Sequence, residues 1–102
     1  MRTITKKDVT KRTAEYLDEK ISSAEIVVEG VFNAMRHIMM KANPEVRIEI
    51  RDFGVFEVKK TKPKPNARNP RTGEVIHVPA RKKAHFKAGK VLKTILKKPL
   101  EE

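Results

Sequence analysis

Between Ser23 and Lys41 the polar residues Glu25, Glu29, Asn33, Arg36, His37 and Lys41 return near every fourth position and form one strip of a helix. Ile26, Val27, Val28, Val31, Phe32, Ala34, Met35, Ile38, Met39 and Met40 take nearly all the rest. An apolar arc this wide needs two neighbours. A chain of 102 residues buries only about two-thirds of its unfolded surface. One neighbour is therefore the rest of the chain, and the other is most simply the same helix of a second copy. The competing reading is a monomer with slack hydrophobics. The methionines of this stripe are core or interface filler rather than a cofactor box.

The flanking sequence divides into recognisable elements. Thr5 is a good N-cap and Asp8 three residues on completes a capping-box pattern, which predicts a first helix to about Leu17 with a narrow stripe at Val9, Thr13, Ala14, Tyr16 and Leu17. Ser22 and Glu25 repeat the pattern, so a connection from Asp18 to Ile21 is expected before the long helix, which Asn43-Pro44 ends. The period then changes to two: Val46, Ile48 and Ile50 alternate with Arg47, Glu49 and Arg51. Asp52-Phe53-Gly54 is a turn, and Val55, Phe56 and Val58 return as the second strand of a hairpin. Phe53 and Phe56 read as core rather than as base-stacking aromatics. Ala88 to about Lys98 predicts a last helix with Val91, Leu92, Ile95 and Leu96 inside and Lys90, Lys93, Lys97 and Lys98 outside, stopped by Pro99.

Charge separates the halves. Residues 1–52 carry 10 basic and 9 acidic side chains, whereas residues 53–102 carry 14 and 4. From Lys59 to Lys87 there are ten basic residues, Lys59, Lys60, Lys62, Lys64, Arg68, Arg71, Arg81, Lys82, Lys83 and Lys87, against the single acid Glu74. Such a run repels itself unless an anionic partner offsets it. Pro63, Pro65 and Pro70 exclude a central strand here, but a two-stranded ribbon accepts them because both its strands are edges. Asn69-Pro70-Arg71-Thr72-Gly73 is a turn in which Pro presets φ and Gly supplies the positive φ that closes it. The expected result is a protruding basic β-arm with Pro70 at its tip. A disordered basic linker is the alternative.

Asp52-Phe53-Gly54-Val55-Phe56, then Arg68-Asn69-Pro70-Arg71-Thr72-Gly73, then His85-Phe86-Lys87-Ala88-Gly89-Lys90-Val91-Leu92-Lys93, in this order, resemble the bacterial HU and integration host factor family. The resemblance runs from Thr5 to Leu96. It implies an α+β fold and an intertwined homodimer, or a heterodimer, with a helical base, a short antiparallel sheet and two protruding β-ribbon arms. It divides a single domain, 1–102, into a helical dimerisation part (1–43), a sheet and DNA-binding arm (46–86) and a C-terminal helix (88–98). The implied activity is architectural: bending and compaction of double-stranded DNA through the minor groove, with weak or no sequence specificity, in the cytoplasmic nucleoid. A site-specific bender of the integration host factor type is the alternative.

By position, Pro70 looks like the intercalating wedge, with Arg68, Asn69 and Arg71 beside it in the groove. Lys59, Lys60, Lys62, Lys64, Arg81, Lys82, Lys83 and Lys87 would follow phosphates, and Lys6, Lys90 and Lys93 would meet DNA on the body. The implied dimer core is Val27, Val31, Phe32, Met35, Ile38, Met39, Phe53, Phe56 and Phe86. Three departures stand out: Asp52 where the family usually has Gly, Ala88 where Ser or Pro is common before the Gly-Lys pair, and a slightly longer N-terminal half.

Composition alone fits an RNA-binding or ribosome-associated protein equally well, but the arm has no exposed aromatic for base stacking. A membrane-surface or acidic-protein binder would want an amphipathic basic helix instead. With no Cys, no Gly-rich phosphate loop and no His-Glu-x-x-His pattern, neither an enzyme nor a metal site is expected; of His37, His77 and His85, the last two could face the same way on an extended chain but have no carboxylate or thiol nearby. No cofactor, small-molecule substrate or membrane span is expected, and a soluble intracellular protein is.

Overall fold

The computed structural model describes residues 1–101. The elements are α1 (Lys6–Leu17), α2 (Ile21–Met40), β1 (Val46–Ile50), β2 (Gly54–Lys60), β3 (Lys64–Arg68), β4 (Val75–Val78), β5 (Lys82–Ala88) and α3 (Lys90–Leu96). They fall into two compact units, a helical one from Met1 to Met40 and a mixed one from Lys41 onward. The architecture is α+β, as expected.

In the helical unit the first capping box forms. The Thr5 amide and hydroxyl both donate to Asp8 Oδ2 at 3.0 Å, and the Asp8 amide donates to Thr5 Oγ1 at 3.4 Å. These bonds to Thr5 hold the Asp8 carboxyl below its ordinary value of 3.8. A depressed acid contributes stability that is present above its unfolded value and lost as pH falls through the folded one. The difference in melting temperature between wild type and Asp8→Ala should therefore narrow as pH is lowered through and below 3.8. A pH-independent difference would contradict the cap.

The second capping box does not form. α1 ends with Asp18 in the left-handed region at φ 53°, its amide reaching the Ala14 and Glu15 carbonyls. That reversal is tight enough that α2 begins at Ile21 instead of Ser23, and the Ser23 and Ala24 amides donate to the Lys20 carbonyl at 3.1 Å. Ser22 lies inside the first turn and cannot cap it. Thr10 and Ala14 of α1 and Ala24 and Val28 of α2 are the buried residues of this pair.

In the mixed unit β1, β2 and β5 form an antiparallel sheet in that order, and β3 and β4 form a separate antiparallel ribbon. Asp52 takes φ 63°, the conformation Gly adopts without cost and Asp tolerates better than most residues. The departure at this position thus leaves the β1–β2 turn closed, with the Phe53 amide donating to the Ile50 carbonyl at 3.1 Å. Gly54 is required, because a Cβ there would lie 2.7 Å from the Phe86 ring. Phe53, Phe56 and Phe86 form one cluster with centroids 4.8 to 6.2 Å apart.

The last helix is shorter than expected at both ends. Ala88 pairs with Gly54 as the end of β5, and Gly89 is the N-cap without a side-chain bond. The absence of Ser at position 88 is therefore an absence in a strand, and the helix cannot start until the Gly89 amide has bonded the Phe53 carbonyl at 2.8 Å.

The core of one chain is small. Ala14, Ala24, Val28, Ala42 and Val58 are its buried hydrophobics, and among the described residues no large side chain is fully buried. Of the expected dimer core, Val27, Val31, Phe32, Ile38, Phe53 and Phe86 are exposed, and Met35, Met39 and Phe56 are half-buried. Each unit folds its backbone and leaves an apolar face without a partner.

Candidate nucleic-acid interface

The arm is a ribbon, not a linker. Arg68 faces Val75 and Ala67 faces Ile76, with a bulge between this part and the Lys64/Val78 pair. Its tip is held by four bonds: Asn69 amide to Glu74 carbonyl at 2.7 Å, Gly73 amide to Asn69 carbonyl at 2.8 Å, Arg71 amide to Asn69 Oδ1 at 2.9 Å and Glu74 amide to Thr72 Oγ1 at 3.3 Å. Gly73 takes φ 74°, which closes the turn as its sequence predicts. Asn69 thus builds the turn with its own side chain, an arrangement short Asx residues favour. Pro70 has no amide to satisfy, and it stands exposed at the tip between exposed Arg68 and Arg71.

The remaining expected contacts lie on several elements. Lys59 faces Lys83 and Lys60 faces Lys82 across β2 and β5. Like charges placed opposite one another are destabilising, and one member of each pair is offset within the chain, Lys82 by the Ala42 carbonyl and Lys59 by Glu57. Lys62 and Lys64 are exposed on the outgoing chain and Arg81 on the returning one. Lys82 is committed differently: its Nζ donates to the Ala42 carbonyl at 3.1 Å, tying β5 to the loop before β1. Lys90 and Lys93 are exposed on α3. Lys6 belongs to the helical unit, where it pairs with Glu29.

Sequence reading passed over Glu57. Arg47, Glu57 and His85 form one row across β1, β2 and β5, on the face that also presents Lys59 and Lys87. Glu57 Oε1 lies 3.1 Å from Lys87 Nζ and Oε2 3.9 Å from Lys59 Nζ. The Lys87 ammonium in particular, with Lys59 and Arg47 behind it, holds the Glu57 carboxyl below its ordinary 4.5. Two of the expected phosphate ligands are thus paired within the free chain. The signal was the single acid two residues before Lys59 on the same strand face.

A concave catalytic pocket is not what these residues build. The arm is exposed, cationic and tipped by Pro70, and Arg47, Lys59 and Lys87 add cations to one face of the sheet, an arrangement that suits a long polyanion. Among the described residues no three His, Cys, Asp or Glu side chains come together to hold a metal, and no helix is long and apolar enough to cross a membrane.

Residues 4–97 match the family described as bacterial DNA-binding protein. An integration host factor subunit beta of Nitrosomonas eutropha is 35% identical over 94 residues, covering 91% of this chain and 86% of the relative. A probable DNA-binding protein HU of Chlamydia pneumoniae is 35% identical over 102 residues, covering 97% and 96%. The fold is shared with an Anabaena HU–DNA cocrystal structure at a TM-score of 0.79 and 23% identity, over 94% of this chain and 100% of that one. With its cationic, proline-tipped ribbon and its α+β frame, the chain belongs to the bacterial DNA-binding protein family of HU and integration host factor.

Proposed function

We propose that this protein is an architectural binder of double-stranded DNA that works as a dimer in the bacterial nucleoid, bending and compacting the duplex through the minor groove with little sequence preference. The observation that carries this reading is the arm: a rigid Pro ring exposed at the tip of a basic ribbon and flanked by two arginines. Lys and Arg side chains neutralise phosphates, and an apolar wedge entering a base step kinks the helix. Bending a site costs on the order of 1–6 kcal/mol in elastic estimates, which the added phosphate and groove interactions of a wrapped duplex must offset. Arg68, Asn69, Pro70 and Arg71 act in the groove. Lys59, Lys60, Lys62, Lys64, Arg81, Lys82, Lys83 and Lys87 act on phosphates along the arm, and Lys6, Lys90 and Lys93 on the body. Residues 1–102 work as one domain completed by a second copy, and the exposed apolar faces of α2, α3 and the Phe cluster support that pairing.

The test is a titration of random duplex, kinked duplex and duplex RNA at two salt concentrations. Duplex DNA should outcompete RNA, and log affinity should fall with log salt by about 0.9 for each phosphate neutralised. A nearly flat salt dependence would refute the electrostatic mechanism. The relatives that are subunits of integration host factor favour a second reading, a site-specific bender paired with a different chain. A strong preference for one sequence over random duplex in the same titration would select it.

A further inference from the structure

The arm joins the sheet through a root that is built differently from the strands on either side. The register of β2 and β5 pairs Lys60 with Lys82, and that of the ribbon pairs Lys64 with Val78. Between these pairs lie unpaired residues: the Thr61 amide still reaches the Arg81 carbonyl, and extending either register would set Lys62 opposite Ala80 and Pro63 opposite Pro79. In an antiparallel ladder every second pair exchanges two backbone hydrogen bonds, with a non-bonded pair between. Thr61 and Arg81 stand at such a bonded position, with one of its two backbone bonds made, and a ladder continued from it would place the next at positions 63 and 79. Both residues there are proline and neither has an amide to give. One whole rung of the ladder is therefore missing between the sheet and the arm.

The rung before the gap is the last backbone tie from sheet to arm, and half of it runs through a side chain. The Thr61 amide donates to the Arg81 carbonyl at 2.7 Å, as a regular ladder requires. The Arg81 amide does not return the bond to the Thr61 carbonyl. It donates to Thr61 Oγ1 at 2.9 Å. A hydroxyl on Cβ sits off the line of the strand, so the ladder closes here in a geometry that a backbone carbonyl alone would not impose.

We propose that Thr61 is a positioning residue for DNA bending: its hydroxyl clasps Arg81 at the root and sets the direction in which the proline-tipped arm leaves the sheet. Beyond the clasp the two prolines leave the chain without cross-strand bonds until Lys64 and Val78, so the orientation of the arm is decided at this one rung. A wedge must enter a base step at a defined angle while the body holds the duplex. An arm that swings freely contacts phosphates but delivers its tip poorly. This inference rests on the architectural reading above, so its test has one readout that needs no DNA.

The comparison is of the full-length wild type, Thr61→Val, which keeps the β-branched shape and removes the acceptor, and Thr61→Ser, which keeps the acceptor. On the free protein, hydrogen exchange should show the Arg81 amide roughly fivefold faster in Thr61→Val, from the loss of one hydrogen bond, and near wild type in Thr61→Ser. On an end-labelled duplex at saturating protein, energy transfer should fall by about half in Thr61→Val and recover in Thr61→Ser, with melting temperatures of the three proteins alike. Unchanged Arg81 exchange in Thr61→Val would overturn the clasp. Wild-type bending by Thr61→Val, or a Thr61→Ser as defective as Thr61→Val, would overturn its role in aiming the arm. Failure of the wild type itself to bend duplex would overturn both that role and the parent reading, with the exchange result alone judging the clasp.

Discussion

Phe32→Asp is expected to abolish pairing: the variant should sediment at the mass of one chain and melt at least 10 °C below wild type, a shift that corresponds to roughly 2 kcal/mol in a domain of this size. Phe32 lies in the apolar arc of α2 with 44% of its surface exposed in a single chain, alongside Val31 at 51% and Ile38 at 48%. Within the helical unit these side chains find no buried site, since the buried residues of the α1–α2 pair are Thr10, Ala14, Ala24 and Val28. A second copy supplies the missing surface, and a carboxylate at its centre must either be desolvated without a partner or keep the helices apart. Because stability and association are inseparable in such a dimer, the melting temperature of the wild type should also rise with protein concentration. A Phe32→Asp variant with the wild-type mass would show that the arc is covered in some other way.

Pro70→Ala is expected to separate bending from binding. Pro70 makes no backbone hydrogen bond that alanine would lose, and the turn beneath it is held by Asn69, Thr72 and Gly73. The ribbon should survive the change with its cations in place, so affinity for random duplex should fall by less than about tenfold, the equivalent of 1.4 kcal/mol. The bend should fall much further, since the small methyl group cannot hold a base step open as the ring does. Energy transfer across an end-labelled duplex at saturation measures the bend independently of the affinity. An undiminished bend would remove the wedge role from Pro70. Arg68→Ala and Arg71→Ala make the useful contrast, because loss of a charge should lower affinity and the slope of log affinity against log salt.

What the sequence disclosed followed from strong local rules. The Thr5/Asp8 box, the period-two run from Val46 to Ile50 and the Asn69–Gly73 turn each depend on neighbours within a few residues, and each formed. The errors arose where local rules competed. Ser22 and Glu25 carry a legitimate capping pattern, but Asp18 in the left-handed region turns the chain so sharply that α2 has already begun at Ile21. Ala88 has high helix propensity, yet its pairing with Gly54 keeps it in β5. Spacing along β2 places Glu57 beside Lys59, but its pairing with Lys87, like that of Thr61 with Arg81, was not legible because it depends on cross-strand register. Glu57 lies in a row with Arg47 and His85, and Thr61 meets Arg81 twenty residues away.

The most direct test of the whole account is the shape of a duplex in the complex. Wild-type protein added to saturation on an end-labelled random duplex should bring the two ends closer and raise energy transfer, and added salt should reverse the change as the protein dissociates. Tight binding that leaves the end-to-end distance at its free value would contradict the account, because the cations would then serve only to coat DNA and the proline-tipped arm would have no mechanical role.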